Sequence, residues 1–469
     1  MHLLPDLSSK TLLYKKLEPF DLAVLGSGSG LDVAVAAAQS GLKVAVIEKG
    51  RMGGTCLNRG CIPSKLLIHS ADIVETIKHA NLFGVNVEKY SIDFTKIVRR
   101  VNGIIDKDSD GIAEAYKGLD NPKLFAGQGK FIGPKTIKVG EDTVQADKVL
   151  IATGTRPAIP PIPGLQGCGY ITSDEALRLE KQPAKLAIIG GGYIAAELAH
   201  FFGSIGTRVS IIHRRSLLLP REDIEIATKF TQVATNKHDL HLNSNVVCVK
   251  KSREVFVTTT ENPSGQRMEI ETDALLVATG RVPNSDLLDL DKTGVQTNSN
   301  GFVVVDKYLQ TNKRGIFALG DAIGSYQFKH SANLEARYAF NNISYPKKMV
   351  EVDYAAMPHA VFTSPQVAGV GYTEQELVNS KVRYEKSVYK YIDTAMGQAL
   401  EDHDGFVKLL AAPDGTLLGC HIIGSEASVL IHEVLVAMRA RLKSHAIAST
   451  IHIHPALSEV VARAASQLR

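Results

Sequence analysis

Two cysteines, Cys56 and Cys61, stand in the stretch GGTCLNRGCIPSK (residues 53–65). On a regular helix, residues five apart have Cα atoms about 8–9 Å apart, and a disulfide tolerates at most about 7 Å. A bond between them therefore needs a local departure from helix, which Gly53, Gly54 and Gly60 permit. Pro63 fits near the start of a helix and resists a place deep inside one. Three kinds of chemistry compete. A structural disulfide has little reason to form in a chain without a secretory signature. A metal site wants two more Cys or His ligands, and His69 alone is close, so no metal is expected. A redox-active dithiol remains, and it needs an electron source elsewhere in the chain.

The flanking sequence supplies one. FDLAVLGSGSGLDVAVAAAQSGLKVAVIEKG (20–50) reads as strand, tight glycine turn, helix and second strand. Glu48 closes the second strand 22 residues after Gly26, the spacing of a carboxylate that takes a ribose hydroxyl pair. Gly26 permits the turn and Gly28 lets backbone approach a pyrophosphate at the helix N-terminus. Leu31 occupies the third fingerprint position, which predicts looser packing of helix on strand there. The pattern recurs in KLAIIGGGYIAAELAHFFGSIGTRVSIIHRR (185–215), with Gly190, Gly192 and Ala195 at the three positions. Its second strand ends in His213-Arg214-Arg215 instead of an acid. A 2′-hydroxyl calls for a carboxylate and a 2′-phosphate for cations, so this fold is expected to prefer NADPH, with NADH as the other candidate.

A second echo supports duplication. VLIATGTRP (149–157) and LLVATGRVP (275–283) are near-copies, one after each glycine motif. The dithiol falls in the longer first copy, beside its nucleotide. GIFALGDAIG (315–324) is an apolar strand ending in Gly320-Asp321, at the edge where an α/β sheet forms its ligand crevice. From about Asp353 the character changes to an antiparallel sheet with helices. The fold class expected is α/β: two Rossmann-like dinucleotide-binding domains and a C-terminal α+β domain. The boundaries expected are an N-terminal extension of unclear role over 1–19, a first nucleotide domain over 20–157 and 276–350, a second over 158–275, and the last domain over 351–469.

Bulk properties exclude several classes. The chain has 469 residues and a net charge of +4, too small to argue for nucleic acid or membrane as partner. No apolar run is long enough to span a membrane. Residues 1–19 hold short apolar runs broken by charge and do not read as a signal peptide, so a reducing, cytoplasmic setting is the expectation. Five cysteines is an odd number for a disulfide framework, and Cys168, Cys248 and Cys420 read as ordinary thiols.

Together these motifs resemble the flavin-dependent pyridine nucleotide–disulfide oxidoreductases, over about Phe20 to Leu468. The resemblance implies FAD in the first fold, NAD(P)H in the second and a homodimer built on the C-terminal domain. It makes Cys61 the thiolate beside the flavin and Cys56 the thiol that exchanges with a small disulfide substrate. Lys65 and Glu197 are similar to the family's ion pair beside the flavin ring. Tyr193 resembles the aromatic that shields the flavin until nicotinamide arrives. Glu48 and Asp321 resemble the FAD ribose and ribitol contacts. Gly30, Gly54, Thr55, Thr153, Gly154, Gly320, Ala332, Gly280 and Arg281 join the implied cofactor contacts. The closing HIHPALSEVV (452–461) resembles the motif in which a His before Pro is followed, five on, by Glu. That makes His454 the acid/base, acting across the dimer interface, and Glu459 its orienting carboxylate, with His452 a bystander.

Within the family, paired C-terminal cysteines and a redox tail are missing, which disfavours mercuric and large thioredoxin reductases. Cys56 disfavours the soluble transhydrogenases. Mycothione reductase-like enzymes fit FKHSANLEARYAFNN and AMGQALEDHDGFVKL. Dihydrolipoyl dehydrogenase, with NAD and a lipoyl domain as partner, is the alternative. Flavoproteins that reduce quinones or oxygen, and non-enzymatic FAD-binding subunits, are remoter; binding alone requires none of Cys56, Cys61, His454 and Glu459.

Overall fold

The computed structural model describes residues 19–468, so the first eighteen residues of the expected extension lie outside the description. Phe20–Leu25 is the buried centre of the first sheet. It pairs in parallel with Val44–Glu48 on one side and with Asp142–Ile151 on the other. Lys123–Ala126 and Ile316–Ala318 extend the parallel region. The ten-residue strand Asp142–Ile151 serves twice. Its second half joins the parallel sheet, while its first half forms an antiparallel ladder with Thr136–Val139.

The second sheet repeats the scheme with Lys185–Ile189 at its centre, flanked in parallel by Arg208–Ile212 and Ala274–Val277. Because Ala274–Val277 pairs with Lys185–Ile189, residues 276 and 277 belong to this sheet, past the boundary expected at 275. The two near-copied segments meet each other: Thr155–Pro157 and Arg281–Pro283 form an antiparallel ribbon between the nucleotide folds. The third unit is a five-stranded antiparallel sheet, with Leu417–Gly424 at its centre and helix Ala427–Arg439 packed on it.

Duplication reaches the level of single contacts. A Cβ on Gly26 would stand 2.3 Å from the Ala152 carbonyl oxygen, and one on Gly190 would stand 2.2 Å from that of Ala278. Both glycines have positive φ and both partners belong to the ATG near-copies, so each turn is pressed onto the end of its own crossover strand. The loose packing expected from Leu31 is not found. The close approach falls one residue earlier, where a Cβ on Gly30 would lie 2.9 Å from Val24 Cγ1 and 3.0 Å from Ala152 Cβ. Leu31 packs against the core instead.

A buried ion cluster fastens the second unit to the third. Lys408 Nζ lies 2.8 Å from Asp223 Oδ1 and 2.5 Å from Glu374 Oε2, and neither the Lys408 nor the Asp223 side chain has exposed surface. Burial opposes ionisation of Glu374, yet hydrogen bonds from Lys408, Tyr384 and Lys386 hold its pKa down at about 2. A depressed carboxylate contributes stability that is complete above its unfolded pKa and lost as pH falls through the folded one. The Glu374 contribution should therefore fade between the ordinary carboxylate range and about pH 2. Lys408→Met should cost about 3–5 kcal/mol by leaving Asp223 buried without a cation. Adding Asp223→Asn should recover part of that loss, measured as unfolding midpoints of the two variants.

Candidate functional site

The cysteines occupy two helices. Cys56 lies in Gly54–Arg59 and Cys61 opens Cys61–His79, with Gly60 at φ −144°, ψ −116° breaking the helical path between them. Both are free thiols. They share a hydrogen bond and split their proton affinities. Hydrogen bonding to Cys56, aided by the charge of Lys65 and opposed by burial, lowers Cys61 to about 7. The same bond, together with burial, pushes Cys56 well above its ordinary value. Of the two thiols, Cys61 is therefore the more acidic.

Lys65 sits one helical turn beyond Cys61. Its ammonium donates to both Glu197 oxygens, at 2.8 and 2.9 Å, and stands 4.5 Å over the Phe362 ring. The Phe362 backbone N–H also donates to Glu197, at 3.1 Å. Glu197 lies one turn beyond Tyr193 on helix Tyr193–Ser204. Thiolate, ammonium, carboxylate and tyrosine therefore follow one seam between two facing helices.

At the C-terminal edge of the first sheet, Glu48 accepts hydrogen bonds from Ser27 N–H at 2.9 Å and Gly50 N–H at 2.7 Å. A carboxylate has lone pairs to spare for further hydroxyl donors. Gly54 packs on Gly28, bringing the cysteine helix to the glycine turn, with Thr55 following it. Thr153 Oγ1 is buried without a partner beside Gly26, and a narrow cleft lined by Gly26, Glu48, Thr153 and Asn284 opens there. An orphaned hydroxyl, a glycine turn and a strand-end carboxylate fit the polar groups of a dinucleotide such as FAD. Gly154, at positive φ, follows Thr153, and Asp321 accepts from Thr155 Oγ1 at 2.8 Å. Gly320 donates its N–H to Glu335 and abuts Ala332. Arg281 donates to the Thr155 hydroxyl and carbonyl, at 2.7 and 2.8 Å, and lies 3.9 Å from Asp321. Its place is the first crevice, because the ribbon Arg281–Pro283 crosses back there. Gly280 immediately precedes that ribbon and accepts from Ala158 N–H at 2.9 Å.

In the second fold, Gly192 caps the helix that Tyr193 opens. His213 lies against Gly191, with its Nε2 buried and unpartnered. Burial, then the charges of Arg215 and Arg214, lower its pKa and favour the neutral ring. Arg214 and Arg215 are exposed.

The C-terminal pair is in place as a local unit: His454 Nδ1 lies 3.1 and 3.2 Å from the Glu459 oxygens. Its imidazole is 72% exposed, and no hydrogen bond joins it to either cysteine of the same chain. Both nitrogens of His452 are engaged, by Glu433 at 2.7 Å and the Thr450 carbonyl at 2.9 Å.

Sequence reasoning missed three residues that complete this region. Phe362 supports the ion pair, and Glu222 and His359 hold Tyr193, with His359 Nε2 2.8 Å from Glu222. The Glu-Asp pair ahead of helix Ile224–Lys237 signals a helix start in sequence, and nothing local distinguishes its two acids.

Comparison with known proteins agrees with this geometry. Residues 20–336 match the model of the pyridine nucleotide-disulphide oxidoreductase family, and 357–465 match that family's dimerisation domain. The chain is 37% identical to mycothione reductase of Mycobacterium tuberculosis, over 97% of this chain and all of that protein. It is 35% identical to dihydrolipoyl dehydrogenase of Chlamydia trachomatis, over 96% of each. Among solved structures, the HOCl-induced flavoprotein disulfide reductase RclA from Escherichia coli, as a Cu(II) complex, superposes with a TM-score of 0.87 at 28% identity, covering 97% of this chain and all of that one. Among the described residues no helix is long and apolar enough to cross a membrane. The chain belongs to the pyridine nucleotide-disulphide oxidoreductase family, whose members use FAD and a pyridine nucleotide.

Proposed function

We propose that the protein is an NADPH-dependent, mycothione reductase-like reductase of a low-molecular-weight disulfide. The observation that carries this reading is the cysteine pair set on two adjoining helices, with Lys65 one turn beyond Cys61 and held by Glu197, and with Cys61 the more acidic thiol. FAD, when bound, supplies two-electron transfer between the nicotinamide and the thiol pair. The net change is one NADPH, one proton and one disulfide converted to NADP⁺ and two thiols.

The residues divide the work. His454 of the second subunit takes the Cys56 proton, and Cys56 sulfur attacks the substrate disulfide, forming a mixed disulfide and expelling one thiolate. The imidazolium returns its proton to that leaving group, while Glu459 holds Nδ1 and steadies the charge. The Cys61 thiolate then attacks Cys56 sulfur, which closes the Cys56–Cys61 bridge and expels the second thiolate; that thiolate takes up the one proton of the net equation from solvent. Lys65, neutralised in part by Glu197, favours the ionised form of Cys61 in the reduced pair. Arg214 and Arg215 supply exposed cations just past the second strand, which supports recognition of a 2′-phosphate, and a neutral His213 replaces the acid that would repel it. Dihydrolipoyl dehydrogenase is the second reading, favoured by the near-equal identity of its members.

Four measurements test this. In the reduced protein, iodoacetamide labelling of Cys61 should rise with pH about a midpoint near 7, and Lys65→Met should move that midpoint upward. Cys56→Ser should abolish disulfide reduction with FAD still bound, and His454→Gln should slow it about 10²–10⁴-fold. Initial rates with NADPH and NADH against mycothione, bis-γ-glutamylcystine, glutathione disulfide and lipoamide should favour NADPH with a sugar-thiol or glutamylcysteine disulfide. Arg214→Ala with Arg215→Ala should cut kcat/KM about 10–100-fold for NADPH and little for NADH. Fast NADH-linked turnover of lipoamide would overturn the reading.

A further inference from the structure

Tyr193 is tethered to all three units of the fold. Its hydroxyl donates to Glu222, a carboxylate with no exposed surface, whose other oxygen lies 2.8 Å from His359 Nε2. Its ring lies near-parallel to two others, with centroids 6.2 Å from Phe328 and 6.1 Å from His359. Phe328 stacks in turn on His330, at 5.2 Å. Glu222 stands just ahead of helix Ile224–Lys237 in the second unit, and His359 lies on strand Pro358–Val361 of the third. Phe328 caps helix Lys329–Ser344 of the first. Tyr193 is also one turn from Glu197, hence at the mouth of the seam that leads through Lys65 to Cys61.

This is an unusual place for a carboxylate. Burial opposes its ionisation, but hydrogen bonds from His359 and Tyr193 and the nearby His421 keep Glu222 below the ordinary carboxylate range. An ionised, fully desolvated acceptor binds a phenol strongly, and strands part of its charge when the phenol leaves. A rotation of Tyr193 therefore carries a defined cost, set by two residues remote from it in sequence.

We propose that Glu222 and His359 are positioning residues that latch Tyr193 shut across the route of the nicotinamide, so that nucleotide binding must break the Tyr193–Glu222 hydrogen bond. The inference rests on the proposed reading of Tyr193 as the shielding aromatic. A latch of this kind lowers apparent affinity by the fraction of molecules held closed. It acts on the nicotinamide, which both nucleotides share, and is thereby separate from the effect of Arg214 and Arg215.

The test is equilibrium binding of NADP⁺ and of NAD⁺ to oxidised holoenzyme by calorimetry, which requires no disulfide turnover and is independent of the substrate. Tyr193→Phe keeps the ring and removes the hydroxyl; it should tighten both nucleotides by the same factor, about tenfold. His359→Gln should tighten both by a smaller factor, and the double variant should bind like Tyr193→Phe alone, because the two changes act on one bond. Resting flavin fluorescence should change in both single variants as the ring is released. Unchanged or weaker nucleotide binding by Tyr193→Phe, at full FAD content, would overturn the latch. So would additive effects in the double variant, which would mark His359 as a separate structural support.

Discussion

The Lys65–Glu197 ion pair joins parts of the chain that the sequence keeps 132 residues apart. Lys65 belongs to the helix that carries Cys61, and Glu197 to the helix that opens on Tyr193. Glu197 also accepts from the Phe362 backbone, which brings in the third unit. Glu197 is buried, so its charge relies on the Lys65 cation, and loss of Lys65 would leave it with the Phe362 N–H but no counter-ion. The pair fixes the distance between the thiols and the second nucleotide fold. It also sets the field at Cys61, since the Lys65 charge lowers the thiol pKa and the Glu197 charge opposes it. One contact thus serves packing and electrostatics at once, and neither function can be changed alone.

Duplication supplies the rest of the frame, and the differences between the copies carry the chemistry. Both copies press a positive-φ glycine against an alanine carbonyl, Gly26 on Ala152 and Gly190 on Ala278. The backbone solution is common. What differs is the end of the second strand, a carboxylate at Glu48 and a neutral imidazole with two arginines at His213–Arg215. On the proposed NADPH reading, a ribose hydroxyl and a phosphate are distinguished by the sign of charge at one position, on scaffolds that are otherwise alike.

Much of this was legible in the sequence because it is local. The glycine turns, the strand-end residues, the CLNRGC stretch and the His454–Glu459 spacing all depend on neighbours within a few turns of chain. The long-range pieces were not. Glu222 and His359 are 137 residues apart, and only the packing of the second unit on the third brings them to Tyr193. Arg281 belongs with them: its motif is local, but the ribbon that returns it to the first crevice is not. Leu31 shows a subtler failure. The fingerprint counts positions from Gly26, whereas the close approach of helix to strand selected Gly30. The N-terminal segment lies outside the described residues, and nothing in its sequence assigns it a role.

The division of protons between the thiols bears on why the family's dimerisation domain is part of this chain. On the proposed mechanism, Cys56 must release the proton that its bond to Cys61 makes it hold, so a base must reach it. Among the described residues no imidazole bonds to either cysteine within the chain. His454 is an exposed imidazole on the third unit with a carboxylate, Glu459, behind it. Ile451 and Ile453 beside it are 97% and 79% exposed, a costly arrangement for large apolar side chains left in water. A two-fold symmetric pair resolves both difficulties with one operation, since each copy offers the surface that the other requires. The apolar flanks would be covered, and each His454 would be carried toward the dithiol of the other copy. An ordered imidazole without a thiol and a dithiol without a base are then halves of one site, and assembly becomes a condition of the chemistry.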